Sequence, residues 1–157
     1  MLLGLMRHAE AGPVDGDIER DADRILTAYG RLQAKTIADE LKRQKIRPQV
    51  VCSPLVRAVQ TAEIVCQTLA LIPTVKDVRL KPRGVAPNLR SILSTFPDVQ
   101  ALLLIGHQPD IGMLVAQVVG FELGFSPAAL AVFESQSPQE DWHFLWTRRP
   151  EDLFKST

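Results

Sequence analysis

The chain has 157 residues, 46% hydrophobic and 23% charged, the composition of a folded globular protein about the size of one ordinary domain. Its 18 Lys and Arg balance 18 Asp and Glu, so neither nucleic acid nor an anionic membrane is expected as a partner. Any strong anion binding must come from local clustering of positive groups.

In chain order, residues 2–6 read as a buried strand, cut short by Arg7 and His8 and without a basic leader, so not as a secretory signal. Residues 11–23 form one long polar loop. Residues 27–45 read as a helix capped by Thr27, with Leu32, Ile37, Ala38 and Leu41 on its apolar face. Residues 50–52 make a short second strand. Ser53-Pro54 then supplies an N-cap and a first-turn proline for a helix to Leu69, with Leu55, Ala58, Val59, Ala62, Cys66 and Leu69 facing inward. Further on come a strand over 74–78, a short helix over 88–95, an apolar strand over 101–105 and a helix over 110–119 capped by Asp110. Two closing strands cover 129–133 and 142–146, with His143 exposed on the second. The apolar run over 101–119 is broken by Gly106-His107-Gln108-Pro109-Asp110, so it is not a membrane span. Cys52 and Cys66 read as reduced, buried thiols, and a cytoplasmic protein is the default expectation.

Strands alternating with helices imply an α/β sandwich with a largely parallel central sheet, in which ligands bind beyond the carboxyl ends of the strands. Three apolar strands end directly in polar groups. Met6 leads into Arg7-His8, Cys52 into Ser53-Pro54 with Arg57 in the first helical turn, and Ile105 into Gly106-His107. Two histidines and two arginines at one sheet edge match a phosphoryl dianion, because the arginine fork pairs with phosphate oxygens. Nearby positive charge keeps an imidazole neutral and therefore nucleophilic, so one histidine can attack phosphorus while the other groups stabilise charge on the equatorial oxygens. That scheme requires no metal or cofactor, and a zinc site from His8, His107 and Cys52 lacks the usual ligand spacing.

The motifs resemble those of the histidine phosphatase superfamily, in particular its small SixA-type phosphohistidine phosphatases. Leu5-Met6-Arg7-His8-Ala9-Glu10-Ala11 is similar to the family's opening Arg-His signature, and Arg24-Ile25-Leu26-Thr27-Ala28-Tyr29-Gly30 to the element before its first helix. Ser53-Pro54-Leu55-Val56-Arg57-Ala58-Val59-Gln60-Thr61-Ala62 resembles its Ser-Pro motif, Gly106-His107-Gln108-Pro109 its second histidine motif, and residues 146–150 the terminal strand of the small subgroup. The resemblance implies a phosphoglycerate-mutase-like three-layer α/β/α sandwich, a single domain over residues 1–157 without a large cap insertion, and no cofactor. It implies His8 as the phosphorylated nucleophile, Arg7, Arg57 and His107 as the phosphate pocket, and Arg24 and Gln108 as further substrate contacts.

Many members of the superfamily carry a carboxylate general acid. Here Arg79-Leu80-Lys81-Pro82-Arg83-Gly84 has none at one of the usual places, and Gln108 replaces it at the other. Glu10 and the loop acids Asp15, Asp17, Glu19, Asp21 and Asp23 remain candidates. A missing acid favours an N-phosphoryl substrate, whose imidazole leaves more easily than an alkoxide. The leading expectation is hydrolysis of phosphohistidine on a partner protein such as a phosphotransfer domain. A small-molecule phosphomonoesterase and a non-catalytic phosphoryl-binding adaptor stay open beside it. A mutase is disfavoured, because little of the chain is free to shield a phosphohistidine from water.

Overall fold

The apolar run Leu2–Arg7 forms β1, with Leu3, Leu5 and Met6 fully buried, as expected of a strand covered on both faces. It lies inside a six-stranded sheet of order β3-β2-β4-β1-β5-β6, made by β2 (Gln49–Cys52), β3 (Val75–Lys76), β4 (Ala101–Gly106), β5 (Leu130–Glu134) and β6 (His143–Arg148). The pairs β1–β4, β4–β2 and β2–β3 are parallel, whereas β5 runs antiparallel to both β1 and β6. The computed structural model describes residues 1–14, 20–82 and 87–154 of the chain.

Successive strand residues point to opposite faces, and the core divides accordingly. Met6, Val50, Cys52, Leu103, Ile105, Leu130 and Val132 pack under α1 (Ala28–Arg43) and α2 (Val56–Leu69). Leu3, Leu5, Val51, Leu102, Leu104, Ala131 and Phe133 pack under α3 (Leu89–Leu93) and α4 (Asp110–Val119). The result is the three-layer α/β/α sandwich expected from the sequence. Each fully buried Leu or Ile in these clusters contributes about 2 kcal/mol relative to exposure. A short last helix, α5 (Pro150–Phe154), lies against α1, where Gln33 Nε2 donates to Glu151 Oε1 at 2.9 Å.

Local signals explain most element ends. The Thr27 hydroxyl accepts from the Gly30 N–H at 2.9 Å and caps α1, while Lys42 and Arg43 complement the helix dipole at its other end. Gly120 closes α4 in the left-handed conformation, at φ 83°. Both cysteines are free and buried, and burial pushes the Cys66 thiol up to about 11. His143 is exposed on β6, as anticipated.

Four details differ from the sequence reading. The strand expected over 74–78 shortens to Val75–Lys76, because the Asp77 side chain accepts from the Arg79 N–H and turns the chain into a 3-10 turn at Val78–Leu80. Ser53 does not cap α2, which starts three residues later with Leu55 at its N-cap. Pro109, not Asp110, occupies the N-cap of α4, and Asp110 is its first helical residue, 3% exposed. Leu32, assigned to the inner face of α1, is 50% exposed, since the buried stripe follows Gln33, Ala34, Ile37, Ala38 and Leu41.

One contact couples this scaffold to the loop after β1. A Cβ on Gly30 would sit 2.0 Å from the Glu10 carbonyl oxygen, a backbone clash that no rotamer relieves. Gly30→Ala is therefore expected to destabilise the protein by about 2 kcal/mol, with the same substitution displacing the Ala9–Glu10 peptide. Chemical denaturation, together with the chemical shift of the Ala9 amide, checks both parts.

Candidate active site

The pairing of β1, β4 and β2 decides which residues meet beyond the sheet. Arg7 lies opposite Gly106, and Cys52 opposite Ile105. The ladder continues one step further, with His8 N–H donating to the Gly106 carbonyl at 2.9 Å and Ser53 N–H to the Ile105 carbonyl at 2.9 Å. His8, His107 and Ser53 thus leave three adjacent strands at the same height. The two imidazole rings stand 5.1 Å apart between centroids, tilted by 55°.

The hydrogen bonds of His8 define its tautomer. Nδ1 lies 2.7 Å from the Ala9 carbonyl oxygen, which can only accept, so Nδ1 carries the ring proton. Nε2 is left with its lone pair, onto which Arg57 Nε–H points at 3.3 Å. The Ala9–Glu10 segment that presents the carbonyl is itself fixed. Ala9 N–H donates to Thr61 Oγ1 at 3.0 Å, Glu10 N–H to Gln33 Oε1 at 2.9 Å, and Thr27 N–H to the Glu10 carbonyl at 3.0 Å. Burial above all, with Arg57 and Arg7 adding to it against the Ala9 bond, holds the His8 pKa down at about 4. The ring is neutral at physiological pH.

His107 has the complementary arrangement. Its Nε2 lies 2.7 Å from Ser53 Oγ, which already accepts from Leu55 N–H at 3.3 Å. When the serine proton is donated to Nε2, the ring proton of His107 sits on Nδ1, a buried nitrogen without a hydrogen-bond partner. Burial first, then His8 and Arg57, lower the His107 pKa to about 3.

Three guanidinium groups surround the pair. Arg57, 5% exposed, donates from Nη1 to the Asp21 carbonyl at 2.8 Å and from Nη2 to Asp21 Oδ2 at 3.1 Å. Arg7 donates from Nη1 to the Phe125 carbonyl at 2.9 Å, while its Nε is buried without a partner. Burial, then the like charges of Arg57 and Arg24, lower the Arg7 pKa. Arg24 braces the loop, donating from Nε to the Gly12 carbonyl at 2.6 Å and from Nη1 to Asp21 Oδ1 at 3.0 Å.

The other sequence candidates are turned elsewhere. Glu10 Oε1 accepts from Thr27 Oγ1 at 2.9 Å, and Gln108 Nε2 approaches the Leu123 carbonyl at 3.5 Å. Asp23 pairs with Arg20 at 2.7 Å, whereas Asp15, Asp17 and Glu19 lie outside the described residues, as do Arg83 and Gly84. Among the described residues no group of His, Cys, Asp and Glu side chains converges as metal ligands. Several participants were not singled out from sequence. Thr61 and Gln33 sit at helical positions whose spacing signals only packing. Ser53 was read as a helix cap, and the Phe125 carbonyl has no sequence signal at all.

A neutral imidazole with a lone pair on Nε2, a second imidazole with an unpartnered ring nitrogen, and guanidinium donors around them can together receive a tetrahedral oxyanion. A family model described as the histidine phosphatase superfamily, branch 1, matches residues 3–87. The solved structure of the protein histidine phosphatase SixA complexed with tungstate superposes with a TM-score of 0.87 at 30% identity, covering 98% of this chain and 99% of that one. A phosphohistidine phosphatase SixA homolog of Haemophilus influenzae is 29% identical over 144 residues, 83% of this chain and 86% of its own length. An uncharacterized protein of Picosynechococcus is 37% identical over 117 residues, 71% of this chain and 69% of its own. The chain belongs to the histidine phosphatase superfamily, in its branch 1, a phosphatase family whose SixA-type members share this fold.

Proposed function

We propose that this phosphatase hydrolyses phosphohistidine on a partner protein, such as the phosphotransfer domain of a signalling relay, through a phosphohistidine intermediate on His8. The observation that carries the reading is the pair of ring nitrogens: His8 offers a lone pair at Nε2, and His107 has a buried, unpartnered Nδ1, an N–H donor when Ser53 donates to Nε2. Nε2 of His8 attacks phosphorus in line, and the Arg57 Nε–H that rested on this lone pair turns to a phosphoryl oxygen. Arg7, Arg57 and His107 stabilise the charge that spreads over the equatorial oxygens. The P–N bond of the substrate breaks, and its imidazole leaves neutral once its second nitrogen is protonated. Water then attacks the phosphoryl group on His8 and releases inorganic phosphate, restoring the free imidazole.

Two features support an N-phosphoryl substrate. Gln108 stands where many relatives carry an acid, and the Glu10 carboxylate is engaged with Thr27 rather than with the histidine pair. The names of two similar proteins, a protein histidine phosphatase and a phosphohistidine phosphatase homolog, point the same way. One catalytic domain without a cap insertion suits a substrate presented on a protein surface.

His8→Ala is expected to abolish turnover and covalent labelling, a loss of at least ~10³-fold. His107→Ala should lower kcat by about 10²-fold while leaving labelling of His8 detectable. Incubation with a ³²P-phosphohistidine protein followed by peptide mapping reads both, and label on any residue other than His8 would refute the mechanism.

The second expectation concerns protonation. The pKa values of both rings lie below the usual 6.5, so each ring is neutral above pH 5 and gains its proton only as the pH falls through about 4 for His8 and about 3 for His107. Because the unfolded chain protonates first, stability is lost as the pH drops from 6.5 towards those values. Titration followed by ¹⁵N imidazole shifts is expected to show two rings still neutral at pH 5, with the Nδ1-protonated pattern for His8. An ordinary titration of His8 near 6.5 would contradict the mechanism.

A further inference from the structure

We propose that the Asp21 carboxylate is a resident anion on the phosphoryl-binding arginines, displaced by an incoming phosphoryl group and returning to speed the release of inorganic phosphate. The inference rests on the function proposed above and adds to it a residue with a defined role. Asp21 places one carboxylate oxygen on Arg57 Nη2 at 3.1 Å and the other on Arg24 Nη1 at 3.0 Å. Two oxygens of one anion bridging two guanidinium groups is the arrangement a phosphoryl group requires. The carboxylate also faces His107 closely enough to oppose the fall of its pKa.

The attachment is built to open. The Asp21 carbonyl holds Arg57 Nη1 at 2.8 Å independently of the side chain, so the carboxylate can rotate away without moving the 3-10 turn at Asp21–Asp23. The Asp21 side chain is 62% exposed against 6% for Arg57, so the anion leaves into water while the cation stays in place. Such a half-exposed pair is weak. With both imidazoles neutral, three guanidinium groups against one carboxylate leave two positive charges, equal and opposite to a phosphoryl dianion. When the dianion binds, the released carboxylate stays nearby to compete for the same donors. The apparent affinity for phosphate is reduced by the fraction of time Asp21 occupies them.

Titration of inorganic phosphate into the full chain tests this. Asp21→Asn and Asp21→Ser are expected to bind phosphate about fivefold more tightly than wild type, with product inhibition strengthened by the same factor. A purely structural Asp21, needed to orient Arg57, predicts the opposite sign: weaker binding in both variants. Asp23→Asn removes the same charge two residues away from a carboxylate paired with Arg20, and should leave the affinity unchanged. Equal or weaker phosphate binding by both Asp21 variants would overturn the inference, as would an equal gain in Asp23→Asn. If wild type itself fails to bind phosphate, the proposed function fails first, and the two failures are thereby distinguished.

Discussion

The parallel pairing of β1 with β4, continued by β4 with β2, is the constraint from which the active site follows. Parallel strands in register end at the same height, and here the ladder carries one hydrogen bond past the last paired residue on each side. Three chain segments therefore emerge side by side, with their side chains fixed by backbone geometry rather than by flexible loops. A shift of one residue in β1 would exchange the faces of Leu5 and Met6 and move His8 off the Gly106 carbonyl. Gly4 resists that slip, because a leucine moved into its place would meet Leu103, whose Cδ1 lies 2.8 Å from where even a Cβ would stand, so the core that stabilises the sheet also sets the positions of the candidate site residues.

Burial at this edge is also what gives the histidines their chemistry. An imidazolium beside buried guanidinium groups would be expensive, so both rings stay neutral, and each has one nitrogen committed to a structural partner. The remaining nitrogens are Nε2 of His8, with its lone pair, and the unpartnered Nδ1 of His107. The arginines tolerate their burial because backbone carbonyls of Phe125, Gly12 and Asp21 accept from them. Arg7 Nε and His107 Nδ1 are both buried without hydrogen-bond partners.

Much of this was legible in the sequence. The strands of 2–6, 50–52 and 101–105 are continuous apolar runs that stop at charged or polar residues, and that pattern alone predicted a shared edge. Arg57 shows the limit. It lies off the apolar stripe of α2, where a helical arginine is ordinarily solvated, yet it is 5% exposed because a turn from residues 21–23 covers it. Contacts of that kind join segments far apart in the chain and leave no periodic trace. Ser53 was identified as a polar residue at a strand end, but its local motif suggested a cap, and only the arrival of His107 from β4 shows its true partner. Leu32 misled for the reverse reason: helical spacing admits neighbouring residues to a stripe, and the α2 contact selects among them.

The position of β1 in the sheet has a temporal consequence. Its neighbours are β4 and β5, so Leu2 pairs with Ala101 and with Glu134 at the far end of the chain. During synthesis β1, an apolar strand, is made before both of its partners and waits for them, an exposed edge that invites aggregation or chaperone binding. The α1 and α2 helices can pair with each other earlier, but His8 acquires its neighbours only when β4 and β5 close the sheet around it. Assembly of the candidate site is thus among the last steps of folding, and a chain that stalls midway carries the Arg7-His8 pair as an ordinary solvated dipeptide.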